Sequence, residues 1–323
     1  MHFNRAKFLV VALPLLLIAS RPTFAAPQAS TQVPTPQSVD SATRPKPADD
    51  RALPDIPALL RDINKNQHAL EELRKLYTCH LSETEDKLDS HGQVKSSSVM
   101  DYDVFYVGDE QARHLLAKDG KPLDAREKKK ADAKFDKEFD EQKKRQAKLA
   151  SDPKKQAKQE QEEEAQLSDF LRAERFTNPR RELYRGKEVI AFDFSGNPDY
   201  KAKKLIERII QKVSGVMWVD EQAREIVRLE ARFDDSAKIG GGLVASLRKG
   251  SNFVFEQEKI NEEVWMPSYM EVHVEARVFV MRLREDAVDR YSEYKKFRTG
   301  SALGASEPAS GEDPAPETKP PSN

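Results

Sequence analysis

The stretch from Met270 to Arg277 constrains this chain more than any other. Met270, Val272, Val274 and Ala276 alternate with Glu271, His273, Glu275 and Arg277, so one set is wholly apolar and the other wholly polar. A period of two marks a β-strand with one face buried and the other in water, because successive side chains point to opposite sides. The same period recurs where Ile190, Phe192 and Phe194 alternate with Ala191, Asp193 and Ser195. Parallel sheets, covered on both faces, read as unbroken apolar runs, so this alternation belongs to an antiparallel sheet with one wet side.

Further strands are marked by Val, Tyr and Phe and separated by turn residues. Tyr77–Leu88 and Val94–Val107 flank Asp89-Ser90-His91-Gly92, a hairpin signal, and Gly108-Asp109 leads to a third short strand at 112–117. Residues 216–220 and 225–233 form a hairpin around Glu221-Gln222-Ala223-Arg224. Residues 243–248 are read as the next strand, with Gly240-Gly241-Gly242 before them as a flexible connection. Residues 253–260 and 264–283 follow, linked by Asn261-Glu262-Glu263. Within that last run Phe279, Met281 and Leu283 take the opposite register, which calls for a bulge or tight bend near Val278. Tyr291, Tyr294 and Phe297 close the pattern.

Helical spacing appears in three places. Ile56, Leu59, Leu60, Ile63, Leu70, Leu73 and Leu76 recur at steps of three, four and seven behind Asp55, which caps the helix. Residues 201–213 place Leu205, Ile206, Ile209 and Ile210 on one side of a short helix. Residues 121–172 are dominated by Lys, Glu, Asp, Gln and Ala with thinly placed Phe135, Phe139, Leu167, Phe170 and Leu171. This is an inserted charged helical pair broken at Ser151-Asp152-Pro153. Such a segment is either a docking arm for an envelope protein or a pair of solvated helix faces with exposed ion pairs. The fold class that follows is α+β: a strongly curved antiparallel sheet, an unclosed β-barrel, with helices over its concave face.

The ends differ from the middle. Arg5 and Lys7 precede an apolar run at 8–20, and Thr23-Phe24-Ala25-Ala26 offers small residues for cleavage, the order of a secretory signal peptide over residues 1–26. The run is shorter than the roughly 20 residues that cross a bilayer. The reading is an exported protein, periplasmic or secreted and not membrane-spanning. Residues 27–51 and 301–323 are rich in Pro, Ser and Thr and are read as disordered, which leaves a folded domain at 52–300.

Chemistry is sparse. Cys79 is the only cysteine, so no intramolecular disulfide forms and the fold rests on its apolar core. The 54 basic and 55 acidic residues nearly cancel, which gives no pull toward nucleic acid. Nucleophile elbow, phosphate loop and paired-histidine zinc helix are absent, and the histidines lack ligand spacing. Cys79 and His80 are neighbours on a strand and therefore face opposite ways, so Cys79 is read as a buried structural thiol. Glu83, Glu85 and Asp86 on the same strand are read as a carboxylate-rich outer face. The expectation is a binding protein, not an enzyme, with no cofactor and no metal.

Gly215-Val216-Met217-Trp218-Val219-Asp220, then Ile226-Val227-Arg228-Leu229-Glu230-Ala231, then Glu263-Val264-Trp265-Met266-Pro267, in this order of elements, resemble the LolA-like superfamily of outer-membrane lipoprotein-sorting proteins. The resemblance implies an unclosed antiparallel half-barrel of about eleven strands whose apolar hollow shelters a lipid, an acyl chain or the acyl chains of a lipoprotein. Relatives of that shape serve as carriers, receptors or envelope-stress sensors. This chain differs from the carriers in its charged insert and in Tyr77-Thr78-Cys79-His80, where carriers place a basic residue. The residues expected to line the hollow are Phe192, Phe194, Val227, Leu229, Phe253, Phe255, Met270, Val272 and Val274, each of which an ordinary packed core would also contain.

Overall fold

The structure is a computed structural model that describes residues 51–107, 110–239, 245–278 and 281–297. The readings made for 1–26, 27–50 and 301–323, for Gly240-Gly241-Gly242 and for Phe279 lie outside the described residues.

The chain enters through α1 (Ile56–Arg74) and runs through β1 (Tyr77–Leu88), β2 (Val94–Val107), β3 (Glu110–Lys118) and β4 (Lys121–Pro122). The helical pair is α2 (Ala125–Ala150) and α3 (Pro153–Ala173). Then come β5 (Glu174–Tyr184), β6 (Lys187–Gly196), α4 (Leu205–Ile210), β7 (Val213–Asp220), β8 (Glu225–Phe233), β9 (Ala237–Ile239), β10 (Ala245–Leu247), β11 (Asn252–Ile260), β12 (Val264–Val278) and β13 (Met281–Lys296). All 13 strands join one antiparallel sheet in the order β4-β3-β2-β1-β13-β12-β11-β8-β7-β6-β5, with β10 beside β12 and β9 beside β10. The first and last strands of that order do not pair, so the sheet is unclosed. Register shifts interrupt six of its pairings, and each inserted residue sharpens the local bend.

The run read as one strand over 264–283 is two. Val278 pairs with Met281, so the bend near Val278 is a hairpin, and the aromatic segment supplies the far half of β13 with Tyr291 and Tyr294, Phe297 lying just past the strand's end. β13 then pairs along β1, from Lys87 opposite Glu285 to Tyr77 opposite Lys296, and joins the two ends of the described chain.

Local signals explain the helix ends. Ala58 donates its backbone N–H to Asp55 Oδ1 at 2.9 Å. Asp124 and Glu127 cap each other's backbone at the start of α2, and Asp152 with Pro153 opens α3. The helical pair is docked at both ends. Phe135 and Phe139 of α2 pack on Phe105, and Leu167, Phe170 and Ala173 of α3 enter the main core.

That core lies between the sheet and α1, α3 and α4: Ile56, Leu59, Leu60 and Ile63 of α1 and Ile209 and Ile210 of α4 close over Ile190, Phe192, Met217 and Ile226. Each such side chain contributes about 1.5–3 kcal/mol on burial. Gly215 lets Phe194 lie across β7, since a Cβ there would collide with the Glu230 carbonyl and come within 2.6 Å of the Phe194 ring. The small residue in Gly215-Val216-Met217-Trp218 therefore has a packing reason.

Candidate functional site

Hydrogen-bonded register rows show what the concave face presents, because directly opposed residues share a face. One row runs Phe192, Met217, Leu229, Phe255, Met270, Asp289, Glu83, Met100. The next runs Phe194, Gly215, Ala231, Phe253, Val272, Ala287, Glu85, Ser98. Both are apolar from β6 to β12 and turn polar at or just beyond β13. The concave face is thus divided along its length into an apolar part and a charged part.

Eight of the nine expected lining residues lie on the apolar part. Phe192, Phe194, Leu229, Phe253 and Phe255 are buried in the main core, where the protein's own helices cover them. Met270, Val272 and Val274 are half-buried against that core, together with Leu283, and keep part of their surface open. Val227 is the exception and is corrected here: it packs with Val189 and Trp265, beside Tyr184 and Trp218, in a separate cluster on the opposite face. The reason is a bulge. Trp218 pairs with Arg228 and Val219 with Ile226, so Val227 is the extra residue, and Ile226 takes the inward place.

The charged part is built from residues whose inward phase the sequence carried. Glu83 follows Tyr77, Cys79 and Leu81 at steps of two, and with Asp289 it is buried, so its assignment to an outer face is corrected. Arg113 Nη1 donates to Glu83 Oε2 at 2.8 Å, and Nη2 lies 3.7 Å from Asp289 Oδ2. Tyr291 donates to Asp289 Oδ2 at 3.3 Å. Burial works against the charge of Arg113, but Tyr291, Asp289 and Glu83 more than offset it and its pKa is raised. Cys79 is buried beside them, and burial pushes its thiol up to about 12, which leaves it protonated at neutral pH. His80 turns the other way, 3.6 Å from Asp101.

Two more carboxyls were missed because a lone Glu on a strand gives no signal of burial. Glu225, where α1 meets β8, accepts from Asn66 Nδ2 at 2.8 Å and from Gln67, with Arg74 Nη2 at 3.4 Å. Burial raises its pKa to about 7 against the opposing pull of Arg74. Glu174, at the start of β5, is buried with both oxygens lacking a hydrogen-bond partner, and burial with nearby Asp234 raises it to about 9.

On the opposite face an open groove of about 710 Å³ is lined by Arg185, Glu256, Glu258, Tyr269, Arg290 and serines. Charges of both signs make it unlike the apolar strip. Among the described residues no cluster of three or more His, Cys, Asp or Glu is placed to hold a metal ion. Among them, too, no helix is long and apolar enough to cross a membrane.

No protein-family model and no curated protein matches the sequence. Among solved structures, the chain is similar to a protein described as an outer membrane lipoprotein-sorting domain from Vibrio parahaemolyticus, at 10% identity, with 75% of this chain and 93% of that one covered and a TM-score of 0.29. It is also similar to a DUF1329 family protein from Desulfovibrio piger, at 10% identity, covering 76% and 93%, with a TM-score of 0.25. At these TM-scores a likeness is silent on function.

Proposed function

We propose that this chain is a non-enzymatic, exported binding protein that shelters an acyl chain of a lipid or lipoprotein against the concave face of its sheet. The observation that supports this reading is the half-buried strip of Met270, Val272, Val274 and Leu283, continuous with the core and ending at the charged part of the same face. An amphiphile laid along the rows rests its tail on β12 and turns its polar end toward Asp289, Glu83 and Arg113. The five deeper residues of the expected lining hold the strip from below.

Each methylene removed from water gives about 0.8 kcal/mol, so a chain of about sixteen carbons gains on the order of 10 kcal/mol before ordering costs. A half-covered strip captures part of that, which suits a ligand that must be released. The test is organic extraction of the purified protein with mass spectrometry of the extract, paired with titration of a fluorescent fatty acid. Co-purified lipid and saturable binding, weakened about 10-fold or more by Val272→Glu, are the expected results, since a buried carboxylate beside hydrocarbon is costly. A ligand-free protein that ignores the fatty acid contradicts the reading.

A further inference from the structure

The outward side of α2 carries a single line of cations. Arg126, Lys130, Lys137, Lys144 and Lys148 are spaced by four, seven, seven and four residues, all are exposed, and none of their side chains has an ion-pair partner among the described residues. At 100° per residue they fall on one side of the helix. The opposite side is the docked one. Phe135 and Phe139 meet Phe105, Gln142 Nε2 donates to the Gln111 carbonyl at 3.1 Å, and Asp132 lies 2.8 Å from His114. Arg145, at the margin, is taken by Glu110 at 2.6 Å. The docking fixes the roll of the helix, so the line points away from the body of the protein.

The helix also runs against the charge of the chain. It holds ten Lys and Arg against six Asp and Glu, a net of +4, whereas the whole chain has a net charge of −1. We propose that this face of α2 is a docking surface for an anionic lipid bilayer. Five cations on a straight line about 33 Å long meet all their counter-charges together on a flat, continuous anionic surface, whereas phosphates on a nucleic-acid helix curve away from such a line. The side has no aromatic residue to stack on bases: Ala133, Asp140 and Glu141 are what lies between the cations. It has no large apolar residue either, so the contact is electrostatic and rests on the surface without insertion. The inference stands apart from the apolar strip of β12.

The experiment is flotation of the purified chain with vesicles of phosphatidylcholine alone and of phosphatidylcholine mixed with phosphatidylglycerol, at low and at high salt. Binding to the mixed vesicles only, abolished by salt, is expected. At about 1 kcal/mol per cation near the surface, the triple variant Lys130→Glu, Lys137→Glu and Lys144→Glu binds roughly 100-fold more weakly. A control with the same charge change at exposed Lys95, Lys201 and Lys238 keeps most of its binding. All six lysines are exposed, and equal thermal midpoints for the two variants establish that both fold. Equal binding to neutral vesicles, equal loss in both triple variants, or tighter retention on duplex DNA than on anionic vesicles would each overturn the proposal.

Discussion

The two parts of the concave face solve the same burial problem in opposite ways. From β6 to β12 the inward positions are Phe, Met, Leu and Val, and helices α1, α3 and α4 cover them. On β13, β1 and β3 the inward positions hold Asp289, Glu83 and Arg113 among Tyr102, Tyr106 and Tyr291, while α2 docks on the other face through Phe105 and His114. The apolar part needs a lid because uncovered hydrocarbon is costly. The charged part needs internal partners because buried charge is costlier still. The position of the helices thus follows from the inward residues of the strands, and the boundary at β12 and β13 is where apolar surface is left half-covered.

The sharpest way to break this comparison is Arg113→Met. It leaves Glu83 and Asp289 without their cation and should cost about 3–5 kcal/mol in denaturant unfolding. Replacing all three with apolar residues of similar size should recover most of that loss. A single variant as stable as the parent would mean that the cluster is not what holds the charged part together.

Next in size is the pH dependence of the apolar part, which keeps its carboxyls by raising their pKa. The ordinary value for both is 4.5, and the folded values are about 7 for Glu225 and about 9 for Glu174. A raised carboxyl binds its proton better in the folded state. Its contribution is complete below about pH 4.5 and is lost as pH climbs through about 7 for Glu225 and about 9 for Glu174. Above pH 7 the remaining slope, at most about 1.4 kcal/mol per pH unit, belongs to Glu174. Unfolding followed against pH should therefore flatten above pH 7 in Glu174→Gln and keep its slope there in Glu225→Gln.

The smallest effect is reserved for the solvated helices. Lys158 and Glu162 are exposed partners 3.6 Å apart on α3, and Lys158→Ala should shift stability by no more than about 0.5 kcal/mol. A larger loss would show that the pair does more than sit in water.

What the sequence made legible was decided by periodicity. Met270 to Ala276, Ile190 to Phe194 and the apolar steps of α1 from Ile56 to Ile63 are inward where their spacing put them, Asp55 sits at the start of α1, and the break at Ser151-Asp152-Pro153 falls between α2 and α3. Spacing failed where an inserted residue reset the phase, as at Val227, whereas the change of register after Val278 did mark the tight bend that pairs Val278 with Met281. Glu83 was misplaced for another reason: its phase was readable, but its partner Arg113 lies 30 residues away on β3, and a buried charge is recognisable only with its counter-ion in view. The pairing of β1 with β13 rests on contacts of about two hundred residues' separation, which no local pattern encodes.

Hydrocarbon bound by this protein should rest on the half-buried strip of β12. The direct measurement is photo-crosslinking with a diazirine-bearing fatty acid, followed by peptide mapping. Adducts concentrated on β12, at Met270, Val272 and Val274, and on Leu283 of β13 are the expected result. Adducts confined to the opposite face, around Tyr184, Trp218 and Tyr269, or scattered without preference, would contradict it.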